Sequence, residues 1–432
     1  MNTFLTLDLM PLLAAVLSAL SCGLLGNFLV LRRLSLMGDA ISHAVLPGIA
    51  AAFVITQSRS PVAMLIGAGV AALLTVLIVE IVKRLGKVEP GAAMGVTFSV
   101  LFALGVVMIE RAARSVDLDA DCVLYGQLET LASFGASGDA IQVPRQVITL
   151  IIVTLFALAF VGVLFKELRI SAFDPGLSTS VGISAGLMHT LLMALVAAAA
   201  VASFEAVGSI LVIAMLIAPA ATARMLTDRL RPQIFVSLIA ALIASVGGYF
   251  LAAHAESLGF KRSLDAAGMI TVISGLLFAI AAVASPNHGV LARAIRRRAL
   301  ADRVILEDLL ATIYRAHETG APGAREEALR AALGTNRASA ALSIATRRAL
   351  ITRRDAHIAL TDIGSALAAD LVRRHRLWET YLVDRAGVRP DHAHGPAEIL
   401  EHARADNRAP IAPDLDATTD PHGRHIPSPH DN

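Results

Sequence analysis

Cysteine is nearly absent from this 432-residue sequence: there are two, Cys22 and Cys122. One sits in an apolar run and the other in a polar stretch, so they supply neither a disulfide framework nor a CxxC metal site. Charge is scarce as well. Asp, Glu, Lys and Arg make up 17% of the residues against 56% hydrophobic, and the mean hydropathy is +0.66. That balance excludes an ordinary soluble globular protein. The net charge of +2 decides nothing, because basic clusters and acidic stretches cancel within it. No GxxxxGK[ST] segment occurs, so the chain has no phosphate-binding loop with which to hydrolyse ATP itself. The first apolar run has no basic leader and no small-residue cleavage site after it. It therefore reads as a helix that stays in the membrane, not as a cleaved signal. Aromatics are few, at 5%, and the apolar runs are rich in Ala, Gly and Ser, which suits closely packed helices in a polytopic bundle.

What is present is unevenly spread. Residues 1–285 are long apolar runs broken by short charged loops, whereas nine of the thirteen histidines lie beyond residue 300. The organisation expected is a membrane domain (1–285), a basic linker (286–300), a soluble domain (301–405) and a Pro- and His-rich tail (406–432). A spanning helix needs roughly 20 apolar residues. Nine runs qualify: 9–31, 36–55, 61–82, 92–110, 146–165, 184–202, 205–223, 233–253 and 267–285. The sixth and seventh are separated only by a tight turn around Glu205, so eight spans result if they merge or one re-enters. With simple alternation, Arg32/Arg33, Lys83/Arg84/Lys87, Lys166/Arg169 and Arg224/Arg229/Arg231 share one side, which marks that side as cytoplasmic. The loop with Asp117, Asp119 and Asp121 and the short loop 256–265 face the other. Nine spans then put the soluble domain in the cytoplasm, and the basic segment 293–303 agrees.

Within this apolar half, "SLMGDAISHAVLPG" (35–48) places Asp39 and His43 at i and i+4, one turn apart on one helix face. A carboxylate in a membrane is expensive and is seldom idle. Carboxylate with imidazole suits Mn²⁺, Fe²⁺ or Zn²⁺ better than Ca²⁺. Two ligands are incomplete, and two such subunits packed face to face would supply four. The same spacing also serves a plain Asp–His hydrogen bond or a packing contact. Pro47 and Gly48 offer a helix break that would open carbonyls beside the pair. A second feature is "VGSILVIAMLIAPAATARMLTDRL" (207–230). Here an apolar span ends at Pro219 and a short amphipathic helix, 220–230, follows with Arg224, Asp228 and Arg229. It reads as a surface for a partner or as an ordinary helix end.

The stretches "LRRLSLMGDAISHAVLPGIA" and "VGSILVIAMLIAPAATARML" resemble the ABC-type manganese/zinc/iron permease family, with a match running over residues 10–285. The resemblance implies the membrane subunit of a metal importer. Asp39 and His43 would hold metal in the translocation path, and the segment with Pro219, Arg224 and Asp228 would couple to a separate ATPase. It also implies an extracytoplasmic metal-binding protein and a second permease subunit, identical or related.

In the soluble half, 303–320 is amphipathic, 325–351 reads as two helices around Gly334, and 352–368 alternates as a short hairpin before another helix. That order suggests a winged helix. The expected fold class is thus an all-α polytopic bundle followed by a mainly α cytoplasmic domain with a winged helix-turn-helix part. Beyond it, His375 and Glu379 stand at i, i+4. Glu398, Glu401 and His402 share a helix face, and His394 lies one turn before Glu398. Mixed His and carboxylate groups from two helices fit a borderline divalent ion, although an exposed charged face has the same composition. "HRLWETYL", "AEILEH" and "TDPHGRHIP" resemble the iron- and manganese-dependent repressors of the DtxR/MntR family over roughly residues 303–430. The resemblance implies His375, Glu379, His394, Glu398, Glu401 and His402 as ligands of Mn or Fe, with Asp308 as an early ligand. Ala311 departs from the acidic residue of manganese-type members. Arg337, Arg347, Arg348, Arg353 and Arg354 could meet DNA phosphates, but an Ala-rich recognition segment has few groups to read bases. The expected function is an importer permease subunit with a cytoplasmic metal sensor that biases transport. The alternatives are a membrane-tethered metal-dependent transcription regulator, or a soluble half that is an inactive remnant. In the tail, Pro410, Pro413, Pro421, Pro427 and Pro429 suggest extended or disordered chain, with His422, His425 and His430 as weak chelators at most.

Overall fold

The computed structural model of the chain describes residues 8–57, 60–112, 128, 131, 143–255, 264–354, 357–405, 409–410, 414–415 and 417–428. The acidic 117–121 loop, Cys122, residues 256–263 and His430 lie outside them, as does the side chain of Arg354. The chain forms two compact units, 1–292 and 293–432.

The first unit is a bundle of α1 (Leu9–Leu31), α2 (Met37–Thr56), α3 (Pro61–Gly86), α4 (Pro90–Ala112), α5 (Arg145–Val163), the short α6 (Phe165–Phe173) and α7 (Pro175–Ser180), α8 (Ala185–Leu226), α9 (Leu230–Ala253) and α10 (Ala266–Ala284). Among the described residues, eight of these are long and apolar enough to cross a membrane. The chain is a multi-pass membrane protein. Helix α1 is central, packed against α5, α8 and α9, with Leu25, Phe28 and Leu29 fully buried. Leucine and isoleucine side chains on the outward faces of α3, α4 and α5 are exposed, for example Ile66, Leu104 and Ile152. In a bilayer those faces meet lipid, so their exposure carries no hydrophobic penalty.

The count is eight, as the sequence allowed if two runs merged: the runs 184–202 and 205–223 join in α8. Its 42 residues would measure about 63 Å if straight, roughly twice the hydrocarbon core. The helix does not run straight. Gly208 has φ 78° and ψ 164°, a break inside the helix that only glycine adopts without strain. Contacts with α1 show the consequence. Arg32 meets His189 at 3.1 Å and Cys22 meets Ser203 at 3.8 Å, an antiparallel course. Leu216 then lies against Gly26, back along α1, so closely that a side chain on Gly26 would overlap its carbonyl. Gly208 divides α8 into two arms, three residues past the turn expected at Glu205. Glu205 is instead held in an ion pair by Arg145, the first residue of α5.

Two prolines expected to interrupt helices do not. Helix α2 continues through Pro47, and α8 continues through Pro219 to Leu226, so the separate helix 220–230 does not form. Neighbouring helices hold both segments in place, and a spanning helix tolerates the one backbone hydrogen bond each proline removes.

The second unit has the winged-helix order expected: α11 (Val290–Glu318, which begins in the first unit), β1 (Ala324–Arg325), α12 (Glu326–Leu333), α13 (Thr335–Arg347), β2 (Ile351–Arg354) and β3 (His357–Leu360). The sheet order is β1-β3-β2, all antiparallel. Gly334, at φ 83°, makes the turn between α12 and α13. Leu309, Leu329, Leu342 and Ile358 form the small core beneath it. Helices α14 (Asp362–Asp384) and α15 (Pro390–Leu400) pack together beyond the wing, followed by the β4 (Arg404–Ala405) and β5 (Ala409–Pro410) pair.

Residues 417–428 of the tail are more ordered than their prolines suggest. A bridge joins Thr419 to His425, and the Asp420 carboxylate accepts from the backbone N–H of His422 at 2.9 Å and of Arg424 at 2.8 Å. Buried Arg376 donates to the His425 carbonyl, Arg373 donates to that of Pro427, and Ile426 is buried. The guanidinium of Arg376 is also clamped by both oxygens of Glu318, at 2.9 and 2.6 Å. A planar fork held this way recruits carbonyls that prolines leave without regular partners.

Candidate metal sites

Helix α2 opens with the first pair. Asp39 stands in its first turn, where the unpaired N–H groups favour a carboxylate, and its Oδ1 lies 3.4 Å from His43 Nε2. Both side chains are about one-third exposed, 31% and 34%, so the pair opens onto space and is not sealed in packing. The His43 ring is held between two rings of α4: Phe98 stacks at 5.2 Å and Phe102 meets it edge-on at 5.0 Å. Pro47 has no N–H with which to satisfy the carbonyl of His43 four residues before it. An imidazole, a carboxylate and a spare carbonyl are thereby gathered within one turn. The phenylalanines went unread in the sequence, although their i, i+4 spacing was a legible sign of a ring pair on one face.

The Pro219 segment is arranged differently. Pro219 is buried inside α8. Arg224 and Asp228 pair at 3.8 Å at its end, and Asp228 also accepts from His288 at 2.9 Å. Ser285, the cap of α10, donates to the Met225 carbonyl. The end of α8 and the segment 285–288 are thus tied together, with Arg224 and Asp228 exposed.

The second unit brings the sensor candidates into two triads. In the first, His375 Nε2, Glu379 Oε1 and His394 Nδ1 stand 3.1, 2.9 and 2.8 Å apart. These are close to the edges of a coordination shell with bonds of about 2.1 Å. His375 and Glu379 are buried on α14, while His394, on α15, is 55% exposed and leaves a way in. In the second triad, His402 Nε2 lies 3.1 Å from Asp308 Oδ1 and 3.6 Å from Glu401 Oε1. All three donors lie within 4.8 Å of one another. Glu401 links the triads, because its other oxygen binds His375 Nδ1. Helix α15 ends at Leu400, so Glu401 caps it and His402 follows in the turn.

Glu398 is not drawn into either triad. It is exposed on α15 and lines a pocket of about 480 Å³ with Asp308, His402 and Arg337. Ala311 is buried against Leu371 and Val372 and offers no donor. Two residues missed in the sequence complete the arrangement: Glu307 accepts from His402 Nδ1 at 2.6 Å, and Arg374 donates to the Glu401 carbonyl. Glu307 was hidden beside Asp308, since spacing along the helix does not show that both reach His402.

The electrostatics follow from this packing. Burial alone would raise Glu379, but hydrogen bonds from His375 and His394 outweigh it and bring its carboxyl down to about 2. Burial works against an imidazolium at His375 too, yet the bonds to Glu379 and Glu401 raise it above its ordinary value. His402 is likewise carried up to about 9, against burial, by Asp308 and Glu307 and by the charge of Glu401. Without an ion, protons on His375 and His402 offset the neighbouring carboxylates. A divalent cation can take over that role, and the oxygen- and nitrogen-only donor set fits Mn²⁺ or Fe²⁺. The residues present therefore fit a metal.

The DNA-facing candidates lie where a winged helix would place them. Arg337, Arg347 and Arg348 are exposed on α13 and at its end. Arg353, on β2, is 65% exposed and pairs with Glu326 at 3.4 Å.

Comparison with known proteins separates the same two parts. Residues 7–285 match the profile of the ABC 3 transport family, and residues 361–428 that of the iron dependent repressor, metal binding and dimerisation domain. The chain is 36% identical over 363 residues to the zinc transport system membrane protein TroD of Treponema pallidum (strain Nichols), covering 82% of this chain and 96% of that one. It is 36% identical over 286 residues to the manganese transport system membrane protein MntD of Bacillus subtilis (strain 168), covering 65% and 93%. Among solved structures, PsaBC from Streptococcus pneumoniae in complex with Fab matches with 31% identity and a TM-score of 0.54, covering 67% of this chain and 94% of that one. The chain belongs to the ABC 3 transport family.

Proposed function

We propose that this chain is the permease subunit of an ATP-driven importer for Mn²⁺, Zn²⁺ or Fe²⁺, with its C-terminal unit acting as a cytoplasmic metal sensor. The observation that carries this reading is the partially open Asp39–His43 pair in a spanning unit whose relatives are named for manganese and zinc transport. In transit the ion is held by Asp39 and His43, with a second permease copy or a related subunit supplying the facing ligands. An extracytoplasmic metal-binding protein delivers it. A separate ATPase engages the exposed end of α8 around Arg224 and Asp228, with Pro219 stiffening that arm. In the sensor, His375, Glu379 and His394 would hold one ion and Asp308, Glu401 and His402 another. The bound metal supplies the positive charge that otherwise comes from protons. Occupancy that favours one transporter state over the other would couple supply to uptake. Glu398, one turn from Glu401 and beside the pocket with Asp308, joins the second set if its side chain swings inward.

The test is metal accumulation in cells making the whole system, comparing wild type with Asp39→Ala, His43→Ala and a chain ending at Arg298. The point variants lose accumulation of the cargo metal, and the truncated chain keeps importing when metal is plentiful. Normal transport by both point variants would remove the central claim. A second reading, a tethered transcription regulator, draws on the winged-helix topology and the exposed Arg337, Arg347, Arg348 and Arg353. It requires DNA affinity that falls steeply with salt. The exposed side chains between Arg337 and Arg347, Ser339, Ala340, Ser343 and Thr346, leave little with which to read a sequence.

A further inference from the structure

We infer that the C-terminal unit contains a separate binding pocket for a small organic oxyanion with an apolar body. The pocket, of about 350 Å³, lies between α11, the end of α13 and α14. That volume is near the lower end for small-molecule sites, roughly 300–1,000 Å³. Five leucines (Leu306, Leu310, Leu350, Leu367 and Leu371) make its apolar wall, and Arg303, Arg348 and Arg374 supply guanidinium groups.

The charge balance favours an anion. Two acids line the pocket, Glu307 and Asp370, and both are engaged. Glu307 accepts from His402 at 2.6 Å, and Asp370 pairs with Arg374 at 3.2 Å. Arg303 and Arg348 have no side-chain hydrogen bond or ion pair among the described residues, and Arg303 Nε is buried without a partner. A buried guanidinium nitrogen left unsatisfied is costly. Arginine meets carboxylate or phosphate with two parallel bonds, and a leucine wall beside it accepts a hydrocarbon chain or ring. Carboxylates and phosphate monoesters share this chemistry.

The pocket also shares side chains with the second metal triad. Glu307 lines it and holds His402, while Arg374 lines it and donates to the Glu401 carbonyl. On the sensor reading above, an anion in the pocket and an ion on the triad therefore change each other's affinity by the same factor.

The experiment uses the full chain in lipid nanodiscs, titrated calorimetrically with octanoate, octyl phosphate and the neutral octanol. The comparison proteins are the Arg303→Gln/Arg348→Gln double variant, Arg303→Lys/Arg348→Lys, and Leu367→Phe, which narrows the pocket without removing a charge. Emission from Trp378 verifies that each variant is folded. Wild type is expected to bind one or both anions at least about tenfold more tightly than the Gln variant, the loss of a charge-assisted hydrogen bond. The Lys variant falls between them, Leu367→Phe is weakened, and octanol gains nothing over the Gln variant. Equal binding by wild type and the Gln variant reduces the signal to lipid partitioning and overturns the site, as does octanol binding as strongly as the anions. Repeating the titration with Mn²⁺ separates the two readings. Octanoate binding that leaves Mn²⁺ affinity unchanged removes the coupling, whereas absence of any Mn²⁺ binding removes the sensor reading and leaves the pocket standing.

Discussion

The two donor groups in this molecule are built to opposite specifications. Asp39 and His43 offer two side chains, each about one-third exposed, and among the described residues the histidine is steadied by Asp39 and two phenylalanine rings. The C-terminal triads offer six side chains, three of them buried, with Glu307 and Arg374 bonded behind them. A group that passes an ion onward must bind it weakly enough to let it leave. A group that reports concentration must keep it long enough to shift an equilibrium. Polar partners behind a ligand fix its tautomer and direction and raise affinity, so their presence behind the triads, with none among the described residues behind Asp39 and His43, is the difference expected between a carrier and a gauge on the proposed reading.

The sharpest test of that contrast is Glu379→Ala. Its carboxylate is the buried centre of the first triad, touching both histidines. Mn²⁺ affinity of the full chain, followed through the single tryptophan, Trp378, should fall by more than about a hundredfold, exceeding the 10–100-fold typical of a supporting residue. Metal accumulation driven through Asp39 and His43 should persist. Loss of transport together with sensing would dissolve the distinction between the two groups.

Glu307→Gln probes the supporting layer. It leaves every donor in place and removes only the charge behind His402. A drop of about 10–100-fold in Mn²⁺ affinity, confined to one of two binding steps, is expected in calorimetry. An unchanged isotherm would mean that Glu307 serves α11 alone.

Proton linkage offers a third, smaller effect. In the ion-free unit, His402 is raised from 6.5 to about 9, so its contribution to stability is complete below pH 6.5 and is lost as pH rises through 9. Glu379 is lowered from 4.5 to about 2, so its contribution is present above pH 4.5 and is lost as pH falls through 2. On these groups the ion-free unit is most stable between about pH 4.5 and 6.5. On the proposed sensor reading, a metal held by His402 displaces its proton, so affinity is expected to rise with pH by at most about tenfold per unit up to 9. Thermal melts read at Trp378, with and without Mn²⁺, should therefore diverge as pH is raised from 6 to 8.5. Parallel curves would show that His402 does not bind the ion.

Much of this was legible in the sequence because the chemistry is local. Asp39 and His43, His375 and Glu379, and the arrangement around Gly334 are all set by helical spacing or a single glycine. Asp308 was reachable only through family resemblance, since nothing in its own neighbourhood ties it to His402. What escaped depends on packing between distant segments. The break in α8 was expected at Glu205, but its exact place at Gly208 was not legible, and the order of residues 417–428 is set by Arg376, about fifty residues earlier. Glu398 stands outside both triads for a related reason: spacing puts it on the face of Glu401 and His402, but the helix that sets that spacing ends at Leu400.

The smallest expected effect concerns the rings around His43. If the transit pair is deliberately lightly supported, replacing Phe98 by Leu should cost little. A ring–ring contact is worth about 0.5–1.5 kcal/mol, which is roughly a two- to tenfold change in apparent affinity for the cargo. The expectation is an uptake curve shifted to higher metal concentration with an unchanged plateau, because Asp39, His43 and the free carbonyl before Pro47 all remain. A collapsed plateau would mean that Phe98 fixes the imidazole as firmly as Glu307 fixes His402. The membrane pair would then be a rigid site in its own right, its support drawn from aromatic packing where the sensor uses carboxylates.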